Sequence, residues 1–232
     1  MKHFEAEPDT AEGIFGSQIG LARLYAQKLA NDSDELGLLG PRELDKIWSR
    51  HILNSAVVAE RVKPGELVAD VGSGAGLPGI PMAIAAPGTD FVLIEPMDRR
   101  ASWLQEVVDE LDLQNVEVVR ARAEEVEGGQ FEVVTARAVA ALDKLLRLCV
   151  PLLRPGGRVI ALKGSKAPEE ILEAQKLKKK FKIESFEIVV CGEKFLAEPT
   201  SVERLQFTKL TREPALARQS LKTYLSAPNR WA

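Results

Sequence analysis

The chain has 232 residues, 45% apolar and 28% charged, with 31 Lys and Arg against 34 Asp and Glu, for a net charge of −3. These are the proportions of an ordinary soluble globular protein, and they argue against bulk electrostatic binding to nucleic acid while leaving a local basic patch open. No apolar run approaches the roughly 20 residues of a membrane span, the polar N-terminus is unlike a signal peptide, and two distant cysteines, Cys149 and Cys191, make neither a disulfide framework nor a metal cluster.

A cytoplasmic protein is therefore expected, with no membrane partner and no metal. Residues 1–13 are polar and read as frayed. Ile14, Phe15, Ile19, Leu21, Leu24, Tyr25 and Leu29 predict a first helix over 14–30, and 31–40 reads as a loop. From Pro41 a second helix is predicted, with Leu44, Ile47, Trp48, His51, Ile52, Ser55 and Ala59 on one face; Pro64-Gly65 ends it.

The pattern then alternates. Strands are predicted at 67–71, 91–95, 116–119, 131–135 and 158–162, with helices at 81–86, 98–111 and 141–153, the last stopped by Pro155-Gly156-Gly157. A charged helix follows at 168–180, and 183–190 with 202–210 form a closing hairpin-like pair. Apolar strands without polar alternation, separated by helices, imply an α/β fold whose parallel sheet is covered on both faces. The final pair, joined without a helix, implies an antiparallel edge. The domain expectation is a helical extension at 1–63, a seven-stranded, mostly parallel sheet domain at 64–210, and a flexible tail at 211–232.

The stretch Glu66–Pro81, ELVADVGSGAGLPGIP, concentrates the chemistry. Gly72, Gly74, Gly76 and Gly79 follow a strand that carries Asp70, at an entropic cost that a ligand-approaching turn justifies. The next strand ends in Glu95, 21 residues after Gly74, a suitable distance for a carboxylate that accepts from ribose hydroxyls. An adenosine-containing cofactor follows from this much. Gly74-Ala75-Gly76-Leu77-Pro78-Gly79 also fits the dinucleotide pattern GxGxxG, so an NAD(P)-dependent oxidoreductase stays open, as does a non-enzymatic RNA- or nucleotide-binding module. Asp70 tilts the choice, because a carboxylate there repels a pyrophosphate and attracts a sulfonium or ammonium.

Asp70–Pro81, D-V-G-S-G-A-G-L-P-G-I-P, resembles motif I of class I S-adenosylmethionine-dependent methyltransferases, which have a Rossmann-like sheet. Its L-P-G-I-P continuation resembles the RsmG (GidB) family of bacterial 16S rRNA guanine-N7 methyltransferases. The resemblance runs from about Arg50 to Val190 and includes five further motifs: R-H-I-L-N-S at Arg50–Ser55, E-P-M-D-R-R at Glu95–Arg100, R-A-E-E at Arg122–Glu125, A-R-A-V-A at Ala136–Ala140 and A-L-K-G at Ala161–Gly164. It implies an S-adenosyl-L-methionine cofactor held by Gly72, Leu77, Ala123, Glu124 and Arg137, beside Asp70, Gly74, Gly76 and Glu95 of the general pattern. It implies a partner too, 16S rRNA or the small ribosomal subunit, with methylation of a guanine in the 530 loop (helix 18); a monomer is expected. Asn54 stands where the family commonly has aspartate, and the segment before Trp48 lacks the family's asparagine-rich pattern.

Guanine N7 is nucleophilic without deprotonation, so this reaction needs alignment rather than a general base. The substrate-orienting candidates are Arg137, His51 and Lys163, with no residue singled out as a general acid or base. The lysine run at 176–182 and Trp48 are read as a solvated helix face and as core, respectively.

Overall fold

The computed structural model describes residues 4–40, 42–137, 142–162 and 176–207. Seven strands form one sheet: β1 (Leu67–Val71), β2 (Asp90–Ile94), β3 (Val116–Val119), β4 (Phe131–Arg137), β5 (Leu153–Leu162), β6 (Ile183–Cys191) and β7 (Thr200–Phe207). Their order is β3-β2-β1-β4-β5-β7-β6. The strands β1 to β5 pair in parallel, whereas β7 is antiparallel to both β5 and β6. The antiparallel strand thus lies one position in from the edge, and β6 closes the sheet. Because β1 sits between β2 and β4, the chain reverses its direction of growth at β1. In open α/β sheets a crevice opens beyond the strand ends at that point.

The helices are α1 (Ala11–Phe15), α2 (Ile19–Leu36), the short α3 (Asn54–Ala56), α4 (Gly79–Ala85), α5 (Asp98–Glu110) and α6 (Leu142–Cys149). Successive strand residues point to opposite faces, which divides the apolar residues between two cores. Val68, Phe91, Leu93, Val133 and Ile160 face α2, α4, α5 and residues 44–58, whereas Ala69, Val71, Val92, Val134 and Val159 face α6. The N-terminal stretch therefore shares its core with the sheet.

Four local expectations are corrected. Residues 5–13 are anchored rather than frayed: the Glu5 carboxylate accepts from the backbone N–H groups of Trp48 and Ser49, each at 2.9 Å, and α1 begins at Ala11. The supposed loop at 31–40 continues α2 to Leu36, because Asp32 accepts from Trp103 Nε1 at 2.8 Å and Ser33 turns its hydroxyl onto Leu29 O. Tertiary pairing overrides the weak helix propensity of Asn and Asp there. The single helix expected over 41–62 is a composite of a 3₁₀ turn (Leu44–Lys46), a π-helical segment (Ile47–Leu53), α3 and a second 3₁₀ turn (Val57–Arg61). Its predicted stripe is buried except for Ala59, which is half-buried. Finally, Pro155-Gly156-Gly157 lies inside β5, where the β4 pairing shifts register between Phe131 and Val133.

The helix at 176–181 exposes Lys176, Lys178, Lys179 and Lys180 while Leu177 and Phe181 pack inward, and Trp48 is core at 2% exposure. Lys163, Pro41, Ala138–Ala141, the start of the helix expected at 168–180 and the tail expected at 211–232 lie outside the described residues. Among the described residues, no helix is long and apolar enough to cross a membrane, and no group of three or more His, Cys, Asp or Glu is placed to hold a metal.

Two glycines give opposite expectations. A Cβ on Gly79 meets Leu93 Cδ2 at 2.3 Å and Asp70 Oδ2 at 2.7 Å, whereas one on Gly20 in α2 meets nothing within 4 Å. Gly79→Ala is expected to lower stability by about 1–3 kcal/mol through overpacking. Gly20→Ala is expected to raise it by up to about 1 kcal/mol, both read by urea unfolding.

Candidate functional site

The glycine turn between β1 and α4 is built by hydrogen bonds to its own strand neighbours. Gly72 and Ser73 donate their N–H groups to Ile94 O at 2.9 and 3.2 Å, and Gly76 and Leu77 donate to Ser73 O at 2.8 and 3.1 Å. Gly72 has φ +71° and Gly76 +79°, conformations that side chains resist. Leu77, buried at 7% exposure, precedes a cis bond to Pro78.

Two carboxylates hold the turn at either end. Asp70, with no exposure, accepts from Gly79 N–H at 3.0 Å through Oδ2. Its Oδ1 is buried and has no hydrogen-bond partner among the described residues. Burial, with a smaller contribution from the charge of Glu95, pushes its pKa up to about 7 against the partial offsets of the Ser73 hydroxyl, the Gly79 amide and the Arg137 charge. Glu95, 3% exposed, accepts from Gly74 N–H and Met97 N–H, both at 2.9 Å. The spacing of 21 residues between Gly74 and Glu95 thus becomes a direct contact at the carboxyl ends of adjacent strands.

Past β3, Ala123–Glu125 forms a 3₁₀ turn, and Glu125 Oε2 accepts from the N–H of the preceding Arg122 at 2.8 Å. Ala123 is buried on it and Glu124 is exposed. Sequence reasoning missed Met97, a large apolar side chain 52% exposed just beyond Glu95. A large apolar residue two positions after the strand-end acid, at the start of a charged helix, was the available signal.

Arg137 ends β4 and brings together residues that the sequence left separate. Its Nη1 donates to His51 O at 3.4 Å and Ser55 Oγ at 3.2 Å. Its Nη2 donates to Arg50 O at 3.4 Å and to His51 Nδ1. The motif R-H-I-L-N-S therefore lies against the end of β4, carried there by the π-helical segment. Burial lowers the Arg137 pKa from its ordinary value. His51 Nε2 lies 2.7 Å from Glu43 Oε2. Burial, then the Arg137 charge, push the His51 pKa down to about 4 despite Glu43, so the ring is neutral at physiological pH. Tyr25 of α2, fully buried, donates its hydroxyl to Ala75 O of the glycine turn at 2.6 Å.

The parts suit an adenosine-containing ligand with a cationic end. Gly72 is exposed on the turn, Glu95 supplies a carboxylate, Met97 and Ala123 are apolar flanks, and the unpartnered Asp70 oxygen lies below. The site residues divide between the turn, the end of β2, the turn after β3 and the end of β4.

Comparison with known proteins agrees. Residues 18–200 match the family model GidB, described as rRNA small subunit methyltransferase G. The chain is 53% identical over 201 residues to Ribosomal RNA small subunit methyltransferase G of Leifsonia xyli subsp. xyli, covering 86% of this chain and 96% of that protein. It is 50% identical over 205 residues to the protein of the same name from Paenarthrobacter aurescens, covering 88% and 95%. Among solved structures, M. jannaschii TYW2 in complex with AdoMet is similar at TM-score 0.56 and 20% identity, over 71% of this chain and 78% of that one. A SAM-dependent methyltransferase from Aquifex aeolicus is similar at TM-score 0.53 and 17% identity, over 73% of this chain and all of that one. These last two likenesses concern the fold.

The Asp70 shift carries a sign. Its folded pKa lies above the unfolded value of 3.8, so the protonated acid stabilises the fold at low pH and that stability is lost as pH rises through about 7. Asp70→Asn keeps an acceptor for Gly79 N–H without the charge. Its stability relative to the unsubstituted protein is expected to climb from about pH 4 to about pH 7, by up to about 1.4 kcal/mol per pH unit, and then level off, as denaturant midpoints at stepped pH will report.

Proposed function

Because the chain belongs to the rRNA small subunit methyltransferase G family, we propose that it transfers a methyl group from S-adenosyl-L-methionine to N7 of a guanine in the 530 loop (helix 18) of 16S rRNA. The observation that carries the cofactor part is the pair of buried carboxylates, Asp70 and Glu95, gripping one glycine turn. The rRNA substrate rests on the family.

The bound cofactor supplies an electrophilic methyl on a sulfonium. This chain supplies position. Glu95 would accept from the ribose hydroxyls with lone pairs left after its bonds to Gly74 and Met97. The turn Gly72–Leu77 would hold the methionine end, with Asp70 beneath it as a counter-charge. Ala123 and Glu124, with Met97, would flank the adenine. Arg137, with His51 behind it, stands at the end of β4 and orients the guanine, whose O6 beside N7 is a natural acceptor for an arginine N–H. No side chain would have to remove a proton, because guanine N7 carries its own lone pair and no hydrogen. Positioning of this kind contributes roughly 7–11 kcal/mol to lowering a barrier. The protein acts as a monomer in the cytoplasm, on rRNA or the small subunit.

Two measurements test the reading. Isothermal titration is expected to show S-adenosylhomocysteine binding and no NAD(P)H binding; the reverse result would remove the cofactor assignment. Glu95→Gln is expected to weaken S-adenosylhomocysteine by about 10- to 100-fold, the loss of a charge-assisted bond of roughly 1.5–3 kcal/mol. Borohydride reduction and aniline cleavage of 16S rRNA from cells with and without the gene should differ at one guanine of the 530 loop. An unchanged pattern would remove the rRNA assignment and leave the cofactor standing.

A further inference from the structure

The hydrogen bonds around Arg137 determine where one proton sits. A guanidinium has donors only. His51 Nδ1, which faces Arg137 Nη2, must therefore present its lone pair. The ring proton is then on Nε2, and it points at Glu43 Oε2, 2.7 Å away. With the opposite tautomer, an imidazole N–H would face a guanidinium N–H and a bare nitrogen would face a carboxylate. Both contacts would turn from attractive to repulsive.

Glu43 belongs to none of the motifs that place the cofactor. It lies on the turn before residues 44–46, where its N–H donates to Gly40 O at 2.9 Å, and its other oxygen takes Arg50 Nη1 at 3.3 Å. It is thus bonded to the two residues that open R-H-I-L-N-S. Those residues also supply Arg137 with three of its acceptors: Arg50 O, His51 O and His51 Nδ1. His51, 5% exposed, has little room to turn once this chain is set. A carboxylate that fixes the tautomer and orientation of a histidine working on its other side is a recurring device.

We propose that Glu43 is a positioning residue: by fixing His51 as the Nε2–H tautomer, it holds the Arg137 guanidinium at the carboxyl end of β4, on the acceptor side of the site. This rests on the reading of Arg137 given under Proposed function. Charge on Glu43 is secondary to its acceptor oxygen, so an amide in its place keeps the device.

The sequence holds only two histidines, His3 and His51. In the full-length His3→Asn protein, the imidazole ¹⁵N–¹H correlation spectrum reports His51 alone. At neutral pH it should show a single Nε2–H tautomer, and Glu43→Gln should preserve it with turnover on 16S rRNA within about 3-fold. Glu43→Ala should give a mixed or Nδ1–H ring and lower kcat by about 10-fold or more, with S-adenosylhomocysteine affinity within about 3-fold. Unaltered tautomer and turnover in Glu43→Ala would overturn the proposal. Equal losses of turnover, cofactor affinity and thermal stability in both variants would do so too, since they mark a merely structural role. If the unsubstituted protein transfers no methyl to rRNA, the rRNA reading fails separately, and the tautomer spectrum, recorded without RNA, still decides the Glu43–His51–Arg137 link.

Discussion

The bond from Gly79 N–H to the buried carboxylate of Asp70 is the constraint on which the site depends. A parallel strand that passes into a helix has to turn sharply at its carboxyl end; here Gly72 and Ser73 still bond to Ile94 O of β2, but the helix end of the turn lies beyond the strands. Asp70 holds that end from inside the sheet, one strand position before the turn begins. Its position costs solvation, since burial favours the neutral acid, and it sets the packing, since Gly79 has no room for a side chain between Leu93 and the carboxylate. Glu95 repeats the arrangement from β2, gripping Gly74 as Asp70 grips Gly79. Two acids from adjacent strands therefore fix both ends of one turn.

The residues before β1 are part of this construction. Tyr25 donates to the turn from α2, Arg99 and Arg100 of α5 donate to Leu36 O and Gly37 O at the end of α2, and Trp103 reaches Asp32. At the end of β4, Arg137 ties that strand to residues 50–55. Residues 4–62 thus contact both the glycine turn and the end of β4.

The sheet was legible because each strand carries a short apolar run bounded by Gly, Pro or a charged helix, and these local signals agree with the final topology. The glycine turn was legible for the same reason, down to Glu95 at its far side. The N-terminal region was less so. Asn31, Asp32 and Ser33 look like loop residues until Trp103, 71 positions beyond Asp32, gives that aspartate a partner. The π-helical segment has an apolar pattern close to that of an α-helix, and its wider turn shows only in backbone pairing. Asp70 was read as a charge facing the ligand, whereas burial places it beneath the turn, where its hydrogen bond to Gly79 does as much as its charge. Glu43 carries no local signal at all; its part appears only once Arg137 requires a lone pair from His51.

The hydroxyl bond from Tyr25 to Ala75 also bears on the order in which the molecule can assemble. It spans 50 positions in the chain, and the Trp103–Asp32 bond spans 71. During synthesis α2 emerges well before its partners, so its apolar stripe waits without a surface to cover until β1, β2 and α5 have followed. Contacts of such long sequence separation slow folding, because the intervening loop must close before they form. The Trp103–Asp32 bond at the end of α2 therefore cannot form until synthesis has reached Trp103.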